Sequence, residues 1–320
     1  VRKMLEYESD EFRDKAIRTL GKIGSSEDAA YLFDYMNGSI PGDEKTRLII
    51  RQNVMSALGD LKSTESWDEF VSIAQDEDEN TMIRATAVRA LGAIGNEGGS
   101  EIIAALFESS DPILRASVVT AIGDYSDQTA VDVVLEGLKD THYKVRLEAL
   151  DAVEKQKKAE AAPYVQYRAE NDPVDAVKLR AINVLAVLGE YKSVTWMLEK
   201  LNEEKTPDKT KMRIITALLE NDPNAVLDDA VAIAFESLKD DKKTWIRYEL
   251  GKAFAKHDNT RLSEVAEAYL LHKDTVTKSL GIEMFNKNHY GNLKEKVEEI
   301  AENEKMGGLQ KQAQRALENQ

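Results

Sequence analysis

The sequence predicts an all-α fold in which helix pairs stack into a right-handed superhelix. Three observations lead to this prediction. A basic residue recurs every 31 to 38 residues, apolar residues follow it at helical offsets, and the alternation typical of β-strands is not evident along the chain. The repeat predicts one domain over residues 1–320, with about nine two-helix repeats and a C-terminal half-repeat.

The recurring basic residue, here called the anchor, is clearest at Arg84 in "IRATAVRALGAIG". Ala87, Ala90, Leu91 and Ile94 follow it at offsets that share one face of a helix. Nine anchors are basic, and the last is a glutamine: Arg13, Arg51, Arg84, Arg115, Arg146, Lys178, Lys211, Arg247, Lys278 and Gln310. Seven residues after each anchor stand apolar residues, namely Leu20, Leu58, Leu91, Ile122, Val153, Leu185, Leu218, Phe254, Phe285 and Leu317.

Each repeat is predicted to hold two helices. The first carries the anchor and often begins with a cap and a proline, as in "SSDPIL" and "ENDPVD". It is expected to end near a glycine such as Gly24, Gly59, Gly95 or Gly189. The second helix is clearest at residues 130–140. Two insertions, residues 37–45 and 202–209, predict surface loops.

The pattern resembles HEAT repeats of the armadillo-type α-solenoid class, and its short unit is similar to the phycobilisome-lyase-like HEAT subfamily. Such units typically carry an aspartate six residues before the basic residue. Asp78, Asp140, Asp172 and Asp241 keep that spacing before their anchors. The acidic position is occupied differently in other copies, which have Tyr7, Lys45, Ser109, Lys205 and His272. The resemblance is specific for fold and weak for function.

The anchors allow two interpretations. The first is structural: each basic side chain links neighbouring repeats through hydrogen bonds to acidic groups and backbone carbonyls. The second is a row of cations that binds an extended anion. A recurring internal register and an acidic total charge favour the structural interpretation.

Composition restricts the partners. The net charge of −15 argues against nucleic acid and suits a basic protein or peptide. No apolar run is long enough to span a bilayer, so membrane insertion is not expected. The absence of cysteine excludes disulfides and thiolate sites, and suits either redox environment. We expect a soluble protein, with the cytoplasm favoured and export left open, because the chain begins at Val1 as a trimmed or mature form would.

No catalytic, cofactor or metal site is predicted. The four histidines lack a following glutamate, so the His-Glu ligands of HEAT-like di-iron hydroxylases are missing. "QDEDEN" at residues 75–80 lacks the glycine and the terminal glutamate of an EF-hand loop. The alternative to a binding protein is a bilin lyase or lyase-like chaperone acting on a tetrapyrrole-bearing protein, an enzyme class that the resemblance implies.

The second helices are expected to form the binding surface, since they line the concave side of such folds. Their alignment predicts two outward columns in which acids recur and aromatics gather in adjacent repeats. Exposed aromatics beside acids are typical of interface anchors. The predicted partner-binding residues are Tyr31, Glu136, Tyr164, Tyr167, Trp196 and Glu199.

Overall fold

The structure is a computed structural model that describes residues 1–6 and 9–319. Within this part of the chain the secondary structure is helical and no strand is present, which confirms the predicted all-α class. Tyr7 lies outside the described residues. Contacts divide the chain into two compact units, Val1–Val184 and Leu185–Gln320. A single domain over the whole chain stays a prediction.

Helix pairs account for the first unit. Its helices are α1 (Asp10–Ile23), α2 (Ser26–Asn37), α3 (Glu44–Asp60), α4 (Trp67–Gln75), α5 (Thr81–Ile94), α6 (Gly99–Ala105), α7 (Pro112–Ile122), α8 (Gln128–Gly137), α9 (Tyr143–Gln156) and α10 (Ala162–Asn171). Helix α11 (Asp175–Leu188) crosses the residue at which the units divide. Short 3₁₀ helices occupy Arg2–Glu6, Thr64–Ser66, Leu106–Glu108 and Ala159–Ala161.

The second unit has the same alternation. Its helices are α12 (Tyr191–Asn202), α13 (Asp208–Asn221), α14 (Pro223–Lys239), α15 (Thr244–Phe254), α16 (Ser263–Leu271), α17 (Thr275–Asn288), α18 (Lys294–Glu302) and α19 (Gly308–Glu318). Short 3₁₀ helices occupy Asp241–Lys243, Thr260–Leu262, Gly291–Leu293 and Glu304–Met306.

The helices of each unit form two layers. In the first unit, the anchor-bearing helices α1, α3, α5, α7 and α9 pack against one another in chain order, and the second helices pack beside them. In the second unit, α13, α15, α17 and α19 do the same. The apolar residue seven places after each anchor is buried in every copy except the last, where Leu317 is half-buried at the end of the chain. Each helix therefore buries its apolar face against the next repeat.

The loops and helix ends correct some expectations. Residues 38–43 and 203–207 lie between helices, as predicted for the two insertions. Gly95 and Gly189 adopt the left-handed conformation after their helices, with φ of 73° and 63°. Gly24 instead has extended backbone, and Gly59 lies inside α3. Asp111 caps α7 as expected, whereas "ENDPVD" does not cap at Asp172, because α11 begins only at Asp175.

Gly59 belongs to a series of close contacts between first helices. A Cβ atom added to Gly59 would lie 3.1 Å from the Cα of Ala90, and one added to Gly92 would lie 2.6 Å from the Cα of Ala121. Each glycine stands eight residues after its anchor, and each alanine stands six after the next anchor. Gly21 with Ala57 and Gly123 with Ala152 repeat the arrangement.

The glycine series ends at Glu154, which holds the same position one repeat later. Its carboxylate accepts a hydrogen bond from Nη2 of Arg180. Nε of Arg180 donates to Asp151 at 2.5 Å. Glycine and alanine therefore allow the first helices from α1 to α9 to pack closely. Between α9 and α11, an ion pair occupies the corresponding position.

The anchors bind neighbouring loops, as Arg115 shows. Its Nε and Nη2 donate to the two carboxylate oxygens of Asp140, at 2.7 and 3.0 Å. Its Nη1 donates to the carbonyl oxygens of Ser109 and Ser110, at 2.9 and 3.0 Å. One guanidinium thus binds the loop of its own repeat through carbonyls and the loop of the next repeat through a carboxylate.

Arg146 has the same geometry one repeat later. Its Nε and Nη2 donate to Asp172 at 2.6 and 2.8 Å, and its Nη1 donates to the carbonyls of Asp140 and Thr141. Asp172 is fully buried, and Arg146 is 4% exposed. The structural interpretation of the anchor is confirmed at these positions. Each aspartate pairs with the anchor of the preceding repeat. The backbone carbonyl of Asp140 also accepts a hydrogen bond from Arg146, the anchor six residues later.

Other anchors use parts of this scheme. Arg51 donates to Glu79 of the next repeat at 2.6 Å. Arg247 donates to the carbonyl of Ser237 and to Oγ1 of Thr277, each at 2.9 Å. These interactions form what we call the arginine ladder, defined by Arg51, Arg84, Arg115, Arg146 and Arg247. Nζ of Lys278 likewise donates to a backbone carbonyl, that of Leu270, at 2.8 Å.

Burial and pairing act in opposite directions on the ladder carboxylates. Burial alone would raise the pKa of Asp172, but hydrogen bonds from Arg146 and from the Val174 backbone lower it below its usual value. The pKa of Asp140 is lowered in the same way by Arg115 and the His142 backbone. A lowered pKa in the folded state means that each carboxylate stabilises the fold above its unfolded pKa of about 3.9. This stabilisation is lost as pH falls through the folded pKa.

We predict that Gly92→Ala destabilises the protein. Helix propensity alone would favour alanine by about 1 kcal/mol. The added Cβ would overlap the backbone of Ala121, and overpacking of this kind costs about 1 to 3 kcal/mol. Urea unfolding should therefore show a net loss. Gly308→Ala is the matched control, because Gly308 lies in α19 with no atom within 4 Å of the added Cβ. Equal stability of Gly92→Ala and the parent protein would contradict the steric account.

We also predict that Asp172→Asn lowers the free energy of unfolding at pH 7 by about 3 kcal/mol, because the substitution leaves a buried guanidinium without its counter-charge. The difference from the parent protein should narrow at pH 3, because this pH lies below the unfolded pKa of about 3.9 and the unfolded parent then binds the proton that the folded carboxylate resists. Urea titrations at the two pH values measure both effects. Asp241→Asn, at an exposed pair with Lys273, serves as the control and should change little. A difference that stays constant between the two pH values would argue against the ion pair.

Candidate functional site

The candidate binding surface of the first unit lies on the second helices α8 and α10. Helix α10 buries Ala162, Val165 and Ala169. Tyr164 and Tyr167 stand on another face of this helix, one turn apart. They are 40% and 55% exposed, so both rings reach solvent as the sequence predicts.

Glu136 lies beside these rings and is not a free acid. Nζ of Lys139 donates to its carboxylate at 2.6 Å and lies 5.2 Å from the ring centroid of Tyr164. The hydrogen bond to Glu136 raises the pKa of Lys139. One ammonium group therefore connects the acid of α8 to the exposed ring of α10.

Arg168 has a comparable role at the second ring. Its guanidinium carbon lies 5.0 Å from the ring centroid of Tyr167, and its Nη1 is 3.4 Å from a carboxylate oxygen of Asp172. Asp172 is the ladder carboxylate that binds Arg146. The exposed surface is thereby joined to the buried ladder. We call Glu136, Lys139, Tyr164, Tyr167 and Arg168 the tyrosine patch.

Sequence reasoning missed Lys139 and Arg168, although the spacing contains them. Lys139 follows Glu136 by three residues, and Arg168 precedes Asp172 by four. Side chains three or four residues apart are neighbours on a helix. A search for basic residues at these offsets from the predicted acids and aromatics would have found both.

Two of the predicted residues are only partly exposed. Tyr31 on α2 is half-buried, and the guanidinium of Arg2 lies over its ring at 5.6 Å. Trp196 on α12 is also half-buried, because it flanks the buried face of Ser193 and Met197. Its indole Nε1 is buried and has no hydrogen-bond partner among the described residues. The alignment of second helices assumes the same register in every repeat. It therefore cannot distinguish a residue at the edge of the buried apolar face from a residue on the exposed face.

Acidic side chains occupy the same register in both units. Glu199 on α12 is exposed, as predicted. The other acids of the two aligned columns are exposed or half-exposed, namely Asp34, Glu69, Glu101, Glu236, Glu264 and Glu267. Each unit therefore carries acids along its second helices.

A cleft of about 700 Å³ in the second unit brings two histidines together. His257 and His289 line it with Glu220, Glu249 and Lys252. Burial lowers the pKa of His257, which favours its neutral form. The wall holds both acids and bases, and Lys256 and Lys287 act on His257 together with Glu220. Across the described residues, no group of three His, Cys, Asp or Glu side chains is placed to hold a metal ion.

None of the helices in the described part of the chain is both long and apolar enough to cross a membrane.

Several known structures align with this chain. A chain of the structure of Kap95p bound to RanGDP aligns with a TM-score of 0.53 at 13% identity, covering 99% of this chain and 51% of that one. The CpcE–CpcF complex of phycocyanin lyase from Nostoc sp. PCC7120 aligns at 16% identity and a TM-score of 0.40, covering 92% and 93%. Human deoxyhypusine hydroxylase aligns at 18% identity and a TM-score of 0.36, covering 82% and 98%. At 13% identity, the comparison with the Kap95p complex shows a common fold alone.

Comparison with curated proteins by sequence gives no significant match. A family model does match, and it spans residues 1–316. The match covers nearly the whole chain and agrees with the helix pairs and the anchor register described above. The chain belongs to the spirochaete HEAT repeat protein family.

Proposed function

We propose that this chain is a non-enzymatic scaffold or adaptor that binds a partner protein or peptide of basic character at an acidic concave surface. The observation that carries the proposal is the pair Tyr164 and Tyr167, two exposed rings on one helix with an acid at their side. Large aromatic side chains with a polar surround are the groups that dominate protein interfaces.

The two rings of the tyrosine patch support a partner that offers a cation. Lys139 and Arg168 already lie over these rings, which supports the proposal that a cation fits there. A partner lysine or arginine could take the place of Lys139 at Glu136, since both would offer the same charge. The net charge of −15 would draw such a partner toward the chain.

The remaining predicted residues are proposed as accessory contacts. Glu199 offers a further exposed acid on α12 of the second unit. Tyr31 and Trp196 are half-buried and would contribute the edges of their rings. We expect them to contribute less to affinity than Tyr164 and Tyr167, because truncation of a half-buried ring acts first on stability.

The partner is to be captured with the whole 320-residue chain as bait and identified by mass spectrometry. A colourless protein or peptide partner agrees with the scaffold. Visible absorbance that co-purifies with the chain would instead support the alternative, a lyase or chaperone for a tetrapyrrole-bearing protein. Binding is then measured by calorimetry with the purified partner.

We predict that Tyr167→Ala weakens partner binding by about 2 kcal/mol, because hot-spot rings lose that much on truncation. Its melting temperature should stay near that of the parent, since the ring is 55% exposed. Tyr143→Ala is the matched control, a 39% exposed tyrosine on the first helix α9 of the same unit. Equal losses in the two variants would remove the tyrosine patch from the interface.

We predict that Glu136→Gln lowers the association rate more than it raises the dissociation rate, because an exposed charge acts chiefly by steering. The loss should shrink as salt rises toward about 1 M, where charges are screened within about 3 Å. Glu65→Gln makes the same change in net charge at another exposed position of the first unit. Stopped-flow kinetics at several salt concentrations compare the two, and identical rates would count against a local role for Glu136.

A further inference from the structure

Two positions of the arginine ladder, Arg84 and Arg247, lack an acid, and Arg247 donates to the hydroxyl of Thr277 instead. Arg115 and Arg146 each bind an aspartate that stands 25 and 26 residues later, in the next repeat. Arg51 similarly binds Glu79. For Arg84, the residue 25 places later is Ser109, whose side chain is too short and uncharged to replace a carboxylate. The ladder is therefore incomplete between α5 and α7.

Arg84 keeps only part of the usual bonding. Its Nε donates to the carbonyl oxygen of Ala74 at 3.0 Å. Neither Nη atom has a protein hydrogen bond, and Arg84 forms no ion pair with any described residue. Arg115 and Arg146, by contrast, use all three of their nitrogens. The half-buried guanidinium of Arg84 thus has two terminal nitrogens that hydrogen-bond to no described residue.

Arg84 lines a cleft of about 540 Å³ in the first unit. Arg84 forms one wall, and Ser109 and Ser110 form the polar part of another. Leu106 and Leu114 supply apolar surface. A planar carboxylate fits a guanidinium through two parallel hydrogen bonds, and apolar walls suit the methylene groups of an acidic side chain.

The acids around the cleft limit the ligand's charge. Asp111 also lines it, but its carboxylate accepts a hydrogen bond from the Ile113 backbone at 2.8 Å as the cap of α7. Glu77 and Glu108 are exposed at the rim. Repulsion from these groups disfavours phosphate and other multiply charged anions more strongly than a carboxylate with a single negative charge.

We propose that this cleft binds a carboxylate end-on at Nη1 and Nη2 of Arg84, whereas Asp140 and Asp172 bind Nε and Nη2 of their anchors. The carboxylate comes from an acidic side chain or chain terminus of a bound peptide, or from a small organic acid. The site is separate from the tyrosine patch and takes the opposite charge. The outcome of the test of this site leaves the proposed scaffold function unaffected.

A carboxylate introduced into the chain at position 109 tests whether this position faces Arg84. Ser109→Asp should supply the missing ladder carboxylate and raise the melting temperature by about 2 °C, as expected for a gain near 1 kcal/mol in a chain of this size. Ser110→Asp is the control, since it adds the same charge at the next residue, outside the ladder register. A rise in both variants, or in neither, would overturn the assignment of Ser109 to the empty ladder position.

Ligand binding is tested by NMR on the full chain with three probes: acetate, the peptide acetyl-Ala-Glu-Ala-amide and its glutamine counterpart. Acetate should shift the Nε signal of Arg84 and the amide signals of Ser109 and Ser110 in the parent protein and in Ser110→Asp. These shifts should vanish in Ser109→Asp and in Arg84→Gln. If Arg84→Gln fails to fold, Ser109→Asp alone carries this comparison.

The peptides distinguish the two sources of the carboxylate. Shifts with the glutamate peptide and none with the glutamine peptide support a peptide ligand, and shifts with acetate alone support a small organic acid. Both results support the carboxylate site. Equal shifts with the glutamate and glutamine peptides, a stronger response to inorganic phosphate than to acetate, or shifts that persist in Ser109→Asp would overturn it.

Discussion

A pair of short helices cannot bury its own apolar face, so every repeat of this chain depends on the next one for its core. In the first unit, two kinds of contact hold neighbouring repeats together, and both recur at fixed positions relative to the anchors. Glycine against alanine lets the first helices approach closely, as at Gly92 and Ala121. Arginine ties the loops together, as at Arg146 and Asp172. Close helices bring the guanidinium within reach of the next loop, and the bound loop holds the helices in place.

The same contacts explain why the anchors are poor candidates for a ligand site, with one exception. The guanidinium nitrogens of Arg115 and Arg146 already donate hydrogen bonds to carbonyl oxygens and a carboxylate of the protein. A row of cations open to an extended anion is therefore not present at these positions. Arg84 differs because Ser109 replaces the acid, which turns a structural position into a potential binding position.

Much of the fold follows from the sequence because helical periodicity and the anchor register repeat. The buried residues seven places after each anchor and the link between arginine and neighbouring loops were predictable from these patterns. The start of α11 was not, because the carboxylate of Asp172 serves Arg146 as well as the Val174 backbone. The close contact of Gly59 with Ala90 was recoverable, since glycine recurs eight residues after four consecutive anchors. The candidate site was predictable only in part: periodicity places Tyr164 and Tyr167 outward, but it cannot tell that Arg2 covers Tyr31 or that Trp196 borders the apolar face.

The central claim is that the face of α10 receives the partner. Hydroxyl-radical footprinting of the whole chain, with and without the captured partner, tests it directly because all four informative tyrosines are exposed in the free chain. The account predicts that the partner protects Tyr164 and Tyr167 from oxidation, while Tyr143 on α9 and Tyr191 on α12 stay reactive. Unchanged reactivity of Tyr164 and Tyr167, together with protection of Tyr143, would contradict it.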